Sequence, residues 1–124
     1  MGLSSNEARV FLLTARQNDL ELAMTTLTSR QQILATRQAD AIAKKSQAMT
    51  QFIATQSADS KVSFMETAAY AEYEQAMNEL EAADLRLTQE LKAKETEHQA
   101  VTAELEEAKK LVDSNVKNSF GYFK

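Results

Sequence analysis

The sequence predicts an all-α protein, a long antiparallel two-helix coiled-coil hairpin. Three observations support this prediction. The chain of 124 residues contains no proline and only two glycines, Gly2 and Gly121, so its interior lacks the usual helix breakers. Apolar residues recur every seven positions along both halves. One polar segment near the middle, 55–63, carries the only strong turn signal. The length suits a single domain, 1–124.

The first helix is predicted to span about 5–55. Ser4 and Glu7 fit a capping box, with Ser4 as the N-cap. Four leucines then follow at intervals of seven, which indicates a coiled-coil seam: Leu13, Leu20, Leu27 and Leu34. Beyond them we expect the apolar stripe to slip to the side marked by Ile42, Met49, Phe52 and Ile53. Such a slip would reduce the supercoil in the second half of the helix.

A turn at about 56–63 should lead into a second helix over about 64–117, because Ser63 and Glu66 repeat the capping-box pattern. Its seam includes the polar residues Asp84 and His98. We interpret Asp84 as a register-setting residue paired with Arg30 or Arg37 across the hairpin. The side chains predicted to form the seam of the hairpin are Val10, Leu13, Leu20, Leu27, Leu91, Val101, Leu105 and Val112.

Charge is distributed unevenly along the chain. Residues 1–62 carry a net charge of +2 and residues 63–124 a net charge of −6, for a total of −4. Opposite charges favour antiparallel pairing of the two halves, either within one chain or between chains. Because no dense cluster of lysine or arginine is present, we expect no nucleic-acid partner. No apolar run is long enough for membrane insertion or a signal-peptide core.

A two-helix hairpin buries little surface, so leftover apolar residues favour a homo-oligomer, a polymer or a heterologous protein partner. The tail 118–124 is rich in aromatic residues. Those aromatics either fold back as a C-terminal cap or anchor the chain in a neighbouring subunit or receptor. The residues predicted to make intersubunit contacts are Phe11, Leu12, Phe120, Tyr122 and Phe123.

The residues that most resemble catalytic or metal-binding groups do not form a complete site. Glu95 and His98 match the Glu-x-x-His spacing of di-iron bundles, but the chain has no second histidine. The acidic run at 104–107 is typical of a solvated helix face, because acid–base catalysis needs paired carboxylates in a pocket. Without cysteine or a glycine-rich loop, zinc-finger and phosphate-loop chemistry have no residues to use. We therefore expect no enzymatic activity, no cofactor and no bound metal.

The sequence resembles the axial proteins of flagellar and type III secretion machines, the needle, filament and rod subunits. The likeness lies in the lack of cysteine, proline and tryptophan, the abundance of alanine, serine, threonine and glutamine, and the helical hairpin. The two ends are also similar to a group of short bacterial proteins of no assigned activity, at 2–9, 13–16, 117–120 and 123. These resemblances imply assembly through terminal helices and export that needs no signal peptide.

Together these observations predict a structural protein: a self-assembling helical-hairpin subunit of a bundle, rod or filament. The resemblance implies an extracellular or cell-surface location, reached by a type III-like route. The alternative is a cytoplasmic coiled-coil adaptor or export chaperone that binds a different protein. The sequence leaves open whether the hairpin closes within one chain or is swapped between two, since residues 55–63 contain no glycine or proline.

Overall fold

The computed structural model describes residues 3–56 and 61–121, and the side chains of 4–56 and 61–118. Two long helices, α1 (Leu3–Thr55) and α2 (Ala68–Gly121), pack against each other as an antiparallel hairpin. A short 3₁₀ helix, Phe64–Glu66, precedes α2. No strand occurs in the described ranges, and the predicted all-α hairpin is confirmed.

The helix starts differ from the predicted ones. Helix α1 begins at Leu3, so Ser4 lies within the helix instead of capping it. Ser63 caps the 3₁₀ helix, where its side chain accepts a hydrogen bond from the Met65 amide. Thr67 then leaves helical geometry (φ −81°, ψ 156°), and its hydroxyl accepts a hydrogen bond from the Tyr70 amide at 3.3 Å. Thr67 therefore serves as the N-cap of α2, which begins four residues after the predicted start. At its other end α2 continues to Gly121, beyond the predicted end at 117.

The seam of α1 keeps the seven-residue repeat along the whole helix. Its buried and half-buried side chains include Asn6, Val10, Leu13, Gln17, Leu20, Met24, Leu27, Gln31, Leu34, Gln38, Ala41, Lys45, Ala48 and Phe52. The predicted slip after Leu34 is wrong, because Ile42, Met49 and Ile53 are exposed. Alanines and the stem of Lys45 occupy the seam positions instead, so the 3.5-residue period continues.

The seam of α2 follows the same repeat with one local shift. Its buried and half-buried side chains include Tyr73, Met77, Leu80, Ala83, Leu87, Leu91, Lys94, His98, Val101, Leu105, Ala108 and Val112. The predicted seam position of Asp84 is wrong, since Asp84 is exposed and the adjacent Ala83 is half-buried. Among the described residues, Asp84 forms no ion pair with Arg30 or Arg37.

The chain divides into two compact units, and both helices contribute to each. The terminal unit comprises Met1–Leu27 and Glu90–Lys124. Its most buried apolar residues are Leu20, Leu27, Leu105 and Ala108. Polar side chains join its helices at the edges of this core. Gln17 Nε2 donates a hydrogen bond to Thr102 Oγ1 at 3.0 Å, and Arg16 pairs with Glu97 at 2.8 Å.

The turn unit comprises Thr28–Gln89. Gln31 Nε2 donates a hydrogen bond to Thr88 Oγ1 across it, at 3.4 Å. Near the turn, the Phe52 and Phe64 rings lie 5.7 Å apart, and the Phe64 and Tyr70 rings lie 5.9 Å apart. These aromatic contacts connect the end of α1 to the start of α2 within one chain.

Candidate docking surfaces

The terminal unit has an apolar surface on the solvent side of α1. We call it the outer stripe: Ala8, Phe11, Leu12, Ala15 and Leu22. Phe11 is 74% exposed, and Leu12 and Leu22 are each 68% exposed. Of the residues predicted to make intersubunit contacts, Phe11 and Leu12 belong to this stripe. The side chains of Phe120, Tyr122 and Phe123 lie outside the described residues.

Charged residues of opposite sign border the outer stripe. Glu7 and Glu21 lie along one side, which we call the acidic flank. Arg9 and Arg16 lie along the other side, the basic flank. Two of these charges also contact α2: Arg16 pairs with Glu97, and Glu21 Oε1 lies 3.1 Å from His98 Nε2. The side chains of Arg16 and Glu21 are each 54% exposed, so both remain accessible to a partner.

The turn unit contains a groove of about 750 Å³ between α1 and α2. Five alanines form its floor: Ala41, Ala48, Ala69, Ala76 and Ala83. Arg37 and Lys44 form a basic wall on α1, and Glu72 and Glu79 form an acidic wall on α2. The other lining residues are Leu34, Asp40, Lys45, Tyr73 and Leu80.

The alanine groove arises from a change in the residues that face a basic row of α1. This row repeats every seven residues and includes Arg16 in the terminal unit and Arg37 and Lys44 in the turn unit. In the terminal unit, Glu97 of α2 approaches Arg16 closely. The heptad position that Glu97 occupies in the terminal unit is occupied by alanine in the turn unit, at Ala69, Ala76 and Ala83. The short side chains leave space, and the basic wall forms no ion pair with any described residue.

The predicted seam residues lie on the packed sides of both helices. Leu20, Leu27 and Leu105 are buried. The other five are half-buried: Val10, Leu13, Leu91, Val101 and Val112. Sequence reasoning missed Asn6, which is buried in the terminal unit, and the half-buried Asn115. The Asn6 Oδ1 acceptor and the Asn115 Nδ2 donor are buried atoms without a hydrogen-bond partner among the described residues. Asn6 lies one heptad before Leu13, and this spacing is the signal that could have marked it as a seam position.

His98 acts as a polar seam residue in this arrangement. Its neighbour across the hairpin is Glu21. Within the described ranges, no group of three or more acidic or histidine residues is arranged to hold a metal ion. The acidic residues of the 104–107 run are exposed. The structure therefore gives these residues surroundings typical of helix packing and solvation.

Tyr70 has a raised pKa, relative to its ordinary value of 10.0. The main cause is the negative charge of Glu74 one turn along α2, followed by partial burial and a hydrogen bond to the same carboxylate. The unfolded chain lacks this environment, so it loses the tyrosine proton at lower pH than the folded chain. Stability should therefore fall as the pH rises above about 10.

Replacing Glu74 by glutamine should return the pKa of Tyr70 towards its ordinary value and weaken this loss of stability at high pH. An ultraviolet absorbance titration of tyrosinate, together with urea melts over the same pH range, measures both effects. Glu81→Gln, one heptad further along α2, is the matched control. An equal change in the control titration would contradict the assignment to Glu74.

Comparisons with known proteins leave the chain without an assigned family. It matches no protein-family model, no curated protein and no solved structure. In the described part of the chain, no helix combines the length and apolarity that a membrane crossing requires.

Proposed function

We propose that the protein is a structural subunit whose helical hairpins self-associate into a bundle, rod or filament. The observation that supports this proposal is the outer stripe. Phe11, Leu12 and Leu22 are large apolar side chains, each more than two-thirds exposed, on one face of one helix. A group of large, exposed apolar side chains of this kind is typical of an interaction surface.

The energetics favour repeated weak contacts over one tight contact. Full burial of a leucine or phenylalanine side chain contributes about 1.5–3 kcal/mol. Association must first offset lost translational and rotational freedom, which costs at least about 4 kcal/mol. Three such side chains therefore support a contact of modest affinity. Subunits that each make two contacts of this strength form longer assemblies as their concentration rises.

The proposal is tested by light scattering over a concentration series of the full-length protein, with negative-stain imaging of the most concentrated sample. We expect the mean mass to grow with concentration and regular assemblies to appear. The double variant Phe11→Ala with Leu12→Ala should raise the concentration required for assembly by about tenfold or more. Far-UV circular dichroism should show the same helicity as the wild type.

The matched control is Ile33→Ala with Leu85→Ala, which removes two exposed apolar side chains outside the outer stripe. This control should assemble like the wild type. If the wild-type protein keeps one small oligomeric state at every concentration, the structural-subunit proposal is wrong. That result would favour the alternative of an adaptor that waits for a heterologous partner.

We further propose export by a type III-like route to the cell surface, on the basis of the compositional resemblance described above. The test is to express the chain in bacteria with and without an active type III export machine. We expect the protein in the culture medium only when the machine is active. Equal amounts in both media, or retention inside both strains, would contradict export by this route.

A further inference from the structure

We propose that the outer stripe of one copy docks into the alanine groove of a second copy, antiparallel to α1 of that second copy. This inference rests on the proposed self-assembly and specifies its contact. It joins two surfaces that lie in different units of the chain, the stripe in the terminal unit and the groove in the turn unit.

The groove fits a helix with bulky apolar side chains. Its alanine floor lets a third helix approach α1 and α2 closely, because small residues reduce the distance between helix axes. The space of about 750 Å³ is then available for Phe11, Leu12 and Leu22 of the incoming helix. Docking would cover the exposed stripe and fill the groove in one step.

The charges at the edges of the two surfaces are complementary. The outer stripe lies between an acidic and a basic flank. On the α1 side of the groove, the lining charges Arg37, Asp40, Lys44 and Lys45 sum to +2, and on the α2 side Glu72 and Glu79 sum to −2. Arg9 and Arg16 are seven residues apart, as are Glu72 and Glu79, so both pairs have the same axial spacing. In the docked pair, Arg9 and Arg16 of the first copy lie beside Glu72 and Glu79 of the second copy. Phe11 of the first copy then lies between the levels of Ala69 and Ala83 on the floor of the groove.

The positions of the charges determine the direction of the docked helix. In a right-handed helix viewed from its N-terminus, the seam side of α1 lies clockwise from the side that carries Arg37 and Lys44. With the groove uppermost, the basic wall of α1 is therefore on the left and the acidic wall of α2 is on the right. A second α1 placed stripe-down and running the same way would carry its basic flank on the left, over the basic wall, because α-helices are right-handed. Reversing the helix brings each flank over the wall of opposite sign. Electrostatics therefore select the antiparallel orientation.

This contact joins the copies into a chain of subunits. The groove wall and the outer stripe share α1, which is helical from Leu3 to Thr55, so a stripe cannot reach its own groove without breaking that helix. Each copy then offers its stripe to one neighbour and its groove to another. Used in this way, with a different neighbour at each surface, the contact is heterologous and generates a ring or an open filament.

The test uses two charge-reversal variants of the full-length protein. The wall variant carries Arg37→Glu with Lys44→Glu, and the flank variant carries Glu7→Lys with Glu21→Lys. Each variant alone places like charges together at the edge where the acidic flank meets the basic wall, so the concentration required for its assembly should rise about tenfold or more. In an equimolar mixture, each stripe finds an oppositely charged wall on the other variant. We therefore expect the mixture to assemble near the wild-type concentration, as measured by light scattering.

Three outcomes would overturn the inference. Assembly of the wall variant at the wild-type concentration would show that the groove is not the docking site. Failure of the mixture to assemble, with both variants folded, would contradict the pairing of acidic flank and basic wall. In either case the wild type still assembles, so the proposed function stands. If the wild type itself does not assemble, the proposed function fails and the docking model fails with it.

Glu21 also contacts His98, so Glu21→Lys could destabilise the fold. A second pair of variants avoids that change. Glu7→Lys and Lys44→Glu alter one charge on each surface and leave the Glu21 contact intact. Urea melts of every variant should match the wild type. Partial rescue of assembly on mixing Glu7→Lys with Lys44→Glu is the expected result, and no rescue between these folded proteins would count against the model.

Discussion

Replacing Leu20 by alanine is expected to lower the free energy of unfolding by about 3 kcal/mol. Leu20 is 2% exposed and is the largest fully buried side chain of the described chain. Leu105 and Ala108, also in the terminal unit, are buried as well. Removing the leucine side chain costs its transfer free energy and leaves a cavity that a helix seam closes only partly. Urea denaturation followed by far-UV circular dichroism measures the loss.

Leu22→Ala is the matched control, because it makes the same chemical change two residues away on the exposed side of α1. Its effect on unfolding should stay within about 0.5 kcal/mol. Both variants should be measured below the concentration at which the protein assembles, since Leu22 belongs to the outer stripe. Equal losses of unfolding free energy from the two substitutions would contradict the burial of Leu20 and the exposure of Leu22.

The contrast between Leu20 and Leu22 is also the part of the structure that the sequence predicts best. Leucines at intervals of seven mark one side of a helix, and that periodicity identifies Leu13, Leu20 and Leu27 as seam residues without any knowledge of the partner helix. The hairpin itself follows from two such helices and one turn signal. These features are local, so a single sequence contains them.

The predicted slip of the apolar stripe is wrong because large apolar residues of α1 lie outside the seam after Leu34. Ile42 and Met49 suggest a slipped stripe, yet both are exposed. The seam continues through Ala41, Lys45 and Ala48, which carry a weak hydrophobic signal. Lys45 packs there because its ammonium lies 4.6 Å from the centre of the Tyr73 ring in a cation–π contact. Only the partner helix supplies that ring, so the pattern of α1 alone cannot indicate it.

The polar seam positions of α2 show the same dependence on the partner helix. His98 stays half-buried beside Glu21 of α1, whereas Asp84 has no ion-pair partner among the described residues and is exposed. An unpaired carboxylate is costly to bury, so the seam shifts to Ala83. The alanine groove has a similar origin. It requires small residues on both helices at matching levels, and the register between helices sets those levels.

Phe64→Ala should lower the free energy of unfolding by about 3–5 kcal/mol, the second large effect that the structure predicts. Phe64 is buried, and its ring lies within 6 Å of the rings of both Phe52 and Tyr70, centre to centre. Aromatic pairs of this geometry add to the gain from burial. Met65→Ala changes an exposed neighbour in the same 3₁₀ helix and should have little effect. Urea melts of the two variants provide the comparison.

Phe64 also holds the hairpin closed within one chain. Its contacts link the last turn of α1 to the first turns of α2, and they form only if the chain reverses direction between the two helices. No glycine or proline in 55–63 prevents that segment from extending as a helix. Without the phenylalanine ring, a hairpin swapped between two chains keeps most of the seam and avoids the weakened turn.

We therefore expect Phe64→Ala to populate a dimer that the wild type and Met65→Ala do not form at the same concentration. Sedimentation equilibrium at low protein concentration, where the outer stripe does not drive assembly, measures this population. Adding Phe11→Ala and Leu12→Ala to the same chain should leave the dimer intact, because a swapped dimer is held by the seam. Loss of the dimer in that triple variant would show instead that Phe64→Ala promotes contacts through the outer stripe. A variant that is destabilised but strictly monomeric would show that the turn closes without help from Phe64.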